Sequence, residues 1–418
     1  MKLTIVGGGS TYTPELVDGI ARLRDRLPVT ELVLVDPVAD RLALVGGMAA
    51  RIMAAQGHPA PVRWTSDLKD GVEGAGAVLL QLRIGGQAAR QRDETWPLEC
   101  GCVGQETTGA GGLAKALRTV PVVLDIAEQV RQHAAPDAWI IDFTNPVGIV
   151  TRALLDAGHR AVGLCNVAIG FQRRFAAGAG VAPERVALDH FGLNHLTWIR
   201  GVRIDGEEVL PQLLEQRLDE LAEEIELPSP LLRRLGAIPS YYLRYYYQHD
   251  AVVQEQRGAE TRGAAVAAME RQLLAMYADP ALDHKPELLA QRGGAFYSEA
   301  AVNLLASLVA DTGDVQVANV RNNGTMPFLG DDAVIEVPAV IGAGGAVPLP
   351  LAPVPARYAG LIAHASAYEE LALDAALHGG RDRVFDALLT HPLVGQYDQA
   401  EKLTDLLLRE NKDYLEWI

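Results

Sequence analysis

Three cysteines in 418 residues are too few for a disulfide framework, and an odd count leaves at least one thiol unpaired. That usage predicts a reducing, cytoplasmic setting. Positive charge is also scarce: 37 Lys and Arg face 53 Asp and Glu, a net charge of −16. Such a field weighs against nucleic acid or an anionic membrane as partner. An anionic small molecule would need a local cluster of arginines and backbone donors. Long hydrophobic runs are missing. The longest weakly charged stretch, Val337 to Val354, is broken by Gly and Pro and is not a membrane span. The first residues run straight into a core-like strand with no leader pattern, which again predicts a cytoplasmic protein. Internal repeats and low-complexity linkers are absent too, so two domains are expected to pack directly on each other.

What is present is a chain 49% hydrophobic, enough for a large core. Its most informative stretch is Lys2 to Arg41. The apolar run KLTIV stops at Gly7, Gly8 and Gly9, a helix-compatible segment follows from Thr13 to Leu27, and a second apolar run, Glu31 to Val35, ends at Asp36. Strand, glycine turn, helix, strand and acid in this order describe a dinucleotide-binding unit. Glycines let the backbone approach a pyrophosphate, and the helix N-terminus offers unpaired N–H groups. In G-x-G-x-x-G register the glycines are Gly7 and Gly9, and Tyr12 stands at the third position. Ser10, Thr11 and Arg41 complete the candidate cofactor contacts. Asp36 argues for NAD over NADP, because a carboxylate repels a 2′-phosphate.

The first third alternates strand-like and helix-like segments. Strands are predicted at Leu3–Val6, Leu32–Val35, Ala77–Leu82, Trp139–Asp142 and Ala161–Leu164, with helices such as Arg41–Gln56 and Val120–His133 between them. This pattern predicts an α/β fold with a Rossmann-like, doubly wound parallel sheet ending near Leu164. Residues 1–164 form the expected nucleotide domain and 165–418 a mixed α/β domain. In the latter, Val186–Leu193 and Thr197–Ile204 read as antiparallel strands with a turn at Asp205–Gly206. Leu213–Glu226 and Arg262–Tyr277 read as helices, Val315–Asn319 and Ala333–Val337 as strands, and Arg357–His378 and Arg381–Leu389 as closing helices.

Several side chains in this frame can carry chemistry. Cys165, in GLCN, and His195, in GLNH, each follow a predicted strand. A thiolate and an imidazole suit a divalent metal, but two ligands are too few for a structural zinc site. From spacing alone, a buried thiol and a hydrogen-bonded core histidine are the favoured reading. Asn145, in DFTNP, ends a strand where open parallel sheets bind ligands, although Asn-Pro also makes a simple turn. Arg83, in QLRIGG, is placed to clamp an anion or to form a surface ion pair. Glu106, in GQETTG, is free to act as an acid or as an orienting carboxylate. Five of the twelve tyrosines fall in SYYLRYYY, from Tyr241 to Tyr247. Such a stripe serves packing, or supplies a phenol base where a cation lowers its pKa.

Taken together, IVGGGSTYTPEL, QLRIGG, GQETTGAGG, DFTNPVG, GLCNVA, GLNH, SYYLRYYY and VRNNG resemble glycoside hydrolase family 4, whose members are NAD- and metal-dependent glycosidases. The likeness spans nearly the whole chain. It implies a lactate/malate dehydrogenase-like architecture and a redox-assisted elimination. NAD⁺ takes hydride from sugar carbon 3, and the resulting ketone acidifies the carbon 2 proton. A metal, with manganese the expectation, is held by Cys165 and His195 and stabilises the enolate. Tyr242 matches the base by its place in YLRYY, with Tyr241 next in line. The aglycone departs, water adds, and the hydride returns, so NAD is recycled. The resemblance gives Glu106 a role in leaving-group departure or water orientation. It also makes Asn145, Asn166, Arg83 and Arg262 substrate contacts. CNVA resembles the CNVP-type sequences of 6-phospho-β-glucosidases, with Ala168 in place of proline. The implied substrate is a phosphorylated disaccharide or aryl glucoside, and the implied assembly a homo-oligomer, dimer or tetramer. The competing readings are a 2-hydroxy-acid dehydrogenase, a non-enzymatic NAD sensor, and a family 4 enzyme for α-linked or unphosphorylated glycosides.

Overall fold

The computed structural model describes residues 1–294 and 296–418. Its first half builds β1 (Lys2–Val6), β2 (Glu31–Val35), β3 (Val62–Thr65), β4 (Ala77–Leu80), β5 (Trp139–Asp142) and β6 (Ala161–Gly163). They lie parallel in the order β3-β2-β1-β4-β5-β6. Helices cover both faces, so β1, β2, β4 and β5 read as almost continuous apolar runs rather than alternating ones. The strand order reverses between β1 and β4. This opens a crevice beyond their C-terminal ends, where such sheets bind ligands. The α/β, Rossmann-like expectation holds. β3 has no sequence counterpart above, because VRWT at the sheet edge is half-exposed and carries little apolar signal.

The parallel part stops at Gly163, but the sheet continues. β7 (Val186–Leu193), β8 (Leu196–Ile204), β9 (Glu207–Glu208) and β10 (Ile238–Pro239) form a separate antiparallel sheet. β11 (Asp314–Arg321), β12 (Val334–Gly342) and β13 (Gly345–Pro348) instead extend the first sheet to nine strands. The join is Asn319 opposite Gly163. The β7–β8 hairpin turns at Asn194–His195, where His195 takes φ 62°; Asp205–Gly206 makes the next turn, into β9.

Three helices differ from their predicted extents. The one expected from Thr13 to Leu27 stops at Arg22. The segment expected as Leu213–Glu226 is two short helices, Leu210–Gln216 and Leu218–Glu224, broken at Arg217. The helix expected from Val120 begins at Gly109 and runs to His133. Its early glycines obscure it in sequence, yet they are what lets it pack. A Cβ on Gly111 would stand 2.4 Å from the Gln105 carbonyl oxygen and 2.5 Å from that of Asp93.

That helix also buries Arg118. Its guanidinium donates to Asp93 at 2.5 and 3.1 Å and to Asn411 on the C-terminal helix, Tyr397–Asn411. Burial pushes the Asp93 carboxyl up to about 6 in spite of the arginine. Arg118→Met fills the volume but strands a buried carboxylate, so it should destabilise the fold by ~3–5 kcal/mol. Urea denaturation checks this, and an unchanged midpoint would show that the pair contributes nothing. Among the described residues no helix is long and apolar enough to cross a membrane.

Candidate active site

The crevice beyond β1 and β4 widens into a cavity of about 1420 Å³. Ligand pockets are typically ~300–1,000 Å³, so this one has room for a dinucleotide and a sugar together. Gly7, Gly9, Ser10, Asp36 and Arg41 line one end; Arg83, Glu106, Asn145, Asn166, His195, Tyr242 and Arg262 line the rest.

At the nucleotide end the glycines are sterically required. Gly7 has φ 84°, and a Cβ there would meet the Gln81 carbonyl oxygen at 2.7 Å. A Cβ on Gly9 would stand 2.8 Å from the Asp36 carboxyl carbon. Asp36 accepts from the N–H groups of Gly9 and Val38, at 3.1 and 3.0 Å, which aims the carboxylate along the crevice. Gly8 and Thr11, also expected at the cofactor, are not among the residues that line the cavity. The Gly8 N–H donates to Val35, and Thr11 is fully buried with its hydroxyl on Glu270. Tyr12 replaces the third glycine by leaning away, its phenol donating to the Gly294 carbonyl. Asp36→Ala should weaken NAD binding by ~1–3 kcal/mol, the usual loss for charged hydrogen bonds. Calorimetric titration measures it, and an unchanged affinity would remove Asp36 from a ribose site.

At the other end, His195 stacks face to face on Tyr242, with ring centroids 3.6 Å apart and planes at 10°. Tyr241 stacks on the opposite side of Tyr242 at 4.2 Å. Burial lowers the His195 pKa to about 4, which leaves the neutral imidazole that ligates metals. Cys165 is buried just behind the wall, and its sulfur receives hydrogen bonds from Asn194 and Tyr297. Burial and the nearby Glu336 hold that thiol well above its usual pKa, and Tyr242 is likewise raised by burial. A bound cation reverses both tendencies. Among the described residues no group of three or more His, Cys, Asp or Glu has metal-ligand spacing. A metal held by Cys165 and His195 would leave positions open for water or substrate. The donor set fits a divalent ion in an open site.

Of the two parts open to Glu106, acid or orienting carboxylate, its surroundings favour the second. Burial alone would raise its pKa, but Arg83, Lys115 and Arg90 override that and hold it well below the carboxylate range. Lys115 donates to it at 2.7 Å, Arg90 lies at 3.0 Å, and Arg83 also pairs with it. A carboxylate gripped this way orients its neighbours and is a poor proton donor. Arg83 is thus partly spoken for. Arg262 sits exposed at the rim, donating to the Gln291 carbonyl at 2.8 Å. Asn145 lines the cavity, and its Oδ1 is buried with no hydrogen-bond partner among the described residues.

These features have counterparts in known proteins. The family 4 glycosyl hydrolase model matches residues 2–180, and the model of that family's C-terminal domain matches 190–394. The chain belongs to glycosyl hydrolase family 4. A family relative, the "Probable 6-phospho-beta-glucosidase" of Bacillus subtilis, is 37% identical, covering 99% of this chain and 97% of its own. The solved 6-phospho-beta glucosidase of Thermotoga maritima, with manganese, NAD⁺ and glucose-6-phosphate, is 32% identical over 99% of both chains, TM-score 0.93. Malate dehydrogenase from Salinibacter ruber, 18% identical, covers 91% of this chain and 99% of its own; its TM-score of 0.55 shows shared fold alone.

Two carboxylates of this family 4 site were absent from the sequence reading. Glu270, in the helix Arg262–Tyr277, accepts from Thr11, Gln87 and Arg292 at 3.0–3.2 Å and pairs with Arg41 at 3.2 Å, tying the nucleotide turn to the cavity floor. Glu336 is fully buried on β12 and binds His190, Asn194 and Asn319. A charged residue at an inward position of the strand VIEVPAVIG is the signal that marks it.

Proposed function

We propose that this family 4 glycosidase hydrolyses 6-phospho-β-glucosides with NAD⁺ and a divalent metal, Mn²⁺ being expected. The observation that carries the reading is the His195–Tyr242 stack, with Cys165 beside it, facing the same cavity as the glycine turn and Asp36. When bound, NAD⁺ supplies a hydride acceptor and the metal a Lewis acid. The chain's residues do the rest. The turn and Asp36 would hold the nucleotide. Cys165 and His195 would hold the metal. Asn145 and Asn166 orient hydroxyls. Tyr242 takes the carbon 2 proton once the neighbouring carbon is a ketone. Glu106 fixes Arg83, Arg90 and Lys115 in one cluster at the cavity wall, and three cations around one carboxylate suit a 6-phosphate. Arg262 adds a further cation at the rim. The β assignment rests on the Asn-Val pair after Cys165. A thiol used as a metal ligand also calls for a reducing compartment, consistent with a cytoplasmic enzyme.

The test is a panel of nitrophenyl α- and β-glycosides, with and without a 6-phosphate, assayed with NAD⁺ and Mn²⁺ under reducing conditions. Cleavage of the 6-phospho-β-glucoside without net NADH is the expected result. Preference for an unphosphorylated or α-linked substrate would overturn the substrate assignment. Stoichiometric NADH release would favour a dehydrogenase.

A further inference from the structure

We propose that Thr107 is the positioning residue that selects which nitrogen of His195 faces the metal, and so sets the affinity for the divalent cation. The inference rests on the reading of His195 as a metal ligand. Thr107 Oγ1 lies 3.0 Å from His195 Nδ1. Either atom is chemically able to donate in that contact, so the direction must come from elsewhere. Gln105 supplies it. The Thr107 backbone N–H, which can only donate, points at the Gln105 side-chain amide, so the atom facing it is the oxygen. That same Oε1 lies 2.9 Å from the Thr107 hydroxyl. A carbonyl oxygen can only accept, so the single hydroxyl proton goes to Gln105. Thr107 Oγ1 must then accept from His195, which places the ring proton on Nδ1 and the lone pair on Nε2.

Three restraints therefore converge on one imidazole. The left-handed backbone at His195 sets where the ring starts, stacking on Tyr242 sets its plane, and Thr107 sets its tautomer. The loop carrying Thr107 is itself anchored, because the adjacent Glu106 is gripped by Arg83, Arg90 and Lys115. Metal-bound histidines gain affinity when the other ring nitrogen donates to a fixed acceptor, and losing that acceptor typically weakens binding ~10–100-fold.

The experiment titrates Mn²⁺ into NAD-loaded protein and reads free Mn²⁺ by electron paramagnetic resonance. It compares wild type, Thr107→Val, Thr107→Ser, Gln105→Met and His195→Ala. Thr107→Val keeps the shape and loses the hydroxyl, so its Mn²⁺ Kd should rise ~10–100-fold with NAD affinity unchanged. Thr107→Ser should restore tight binding. Gln105→Met should weaken Mn²⁺ as well, because the freed hydroxyl proton can then turn towards Nδ1 and favour the wrong tautomer. Wild-type Mn²⁺ affinity in Thr107→Val would overturn the proposal, as would equal weakness in Thr107→Ser and Thr107→Val. If Thr107→Val no longer binds NAD it has lost its fold, and Gln105→Met decides: weakened Mn²⁺ binding supports the proposal and unchanged binding overturns it. His195→Ala separates the two levels. Wild-type Mn²⁺ affinity there would sink the metal reading itself, whereas lost affinity there with none lost in Thr107→Val would sink only the role of Thr107.

Discussion

Cys165→Ser and His195→Ala should each lower metal-dependent turnover by roughly 10³-fold or more, the effect of removing several kcal/mol of Lewis-acid stabilisation. NAD binding should be almost unchanged. The separation follows from the contacts: the glycine turn is tied to Asp36 through the Gly9 N–H, whereas His195 packs on Tyr242 and bonds Thr107. Serine is the sharper of the two substitutions. It is small, fits the buried site, and can accept the hydrogen bonds that Asn194 and Tyr297 give the sulfur. It differs in acidity. A metal deprotonates a thiol readily, even one that burial has raised, but an alcohol far less so. A protein that folds, binds NAD and fails with Mn²⁺ is the expected outcome for both variants. Turnover at the wild-type rate by both in metal-free buffer would sink the metal assignment.

How much of this was legible in the sequence depends on the physics of each element. Buried parallel strands such as Leu32–Val35 and Trp139–Asp142 announce themselves, because two covered faces demand unbroken apolar residues. The edge strand Val62–Thr65 has one face in water and no such signature. Glycine is a poor helix former, so Gly111 and Gly112 obscure the start of their helix. The approach of the Gln105 and Asp93 carbonyls to Gly111, and of the Thr107 carbonyl to Gly112, explains why the helix needs them. Sequence order also hid the continuation of the sheet past Gly163, since β11 joins β6 from far downstream through a single pair, Asn319 opposite Gly163. At the site, residues read from local pattern arrived at the cavity wall: Asp36 at the tip of a strand, Asn145 before a proline, His195 in a hairpin turn. Residues whose meaning lies in a distant partner did not. Thr11 fits the pattern of a turn that meets the cofactor, yet its hydroxyl is bound by Glu270, 259 positions away. Glu106 does line the cavity, but nothing adjacent in sequence chooses between an acid and an orienting carboxylate, because Arg83, Arg90 and Lys115 close round it only in the fold.

Tyr242 gives the most direct test of mechanism. Its ring lies between His195 and Tyr241, so a phenolate formed there sits beside the imidazole expected to carry the metal. Burial alone holds the phenol well above its ordinary pKa, and Tyr241 adds to that rise. Without a cation it is therefore a weak candidate for a base. With a divalent ion on His195, Coulomb attraction at this separation works in the opposite direction, which couples proton abstraction to metal binding. If Tyr242 removes the carbon 2 proton after oxidation at carbon 3, product formed in D₂O carries deuterium at carbon 2, because solvent or the exchanged phenol returns a different hydrogen. Direct displacement at the anomeric carbon leaves that position untouched. Tyr242→Phe keeps the ring and its stack, so it should fold, bind NAD and Mn²⁺, and lose most turnover, at least ~100-fold for a general base. Oxidation precedes the step that needs the phenol, so mixing this variant with substrate should still give a partial rise in NADH absorbance. No deuterium at carbon 2 in the wild-type product would end the elimination mechanism. Normal turnover by Tyr242→Phe would pass the role to Tyr241, which faces the same cavity and is 42% exposed.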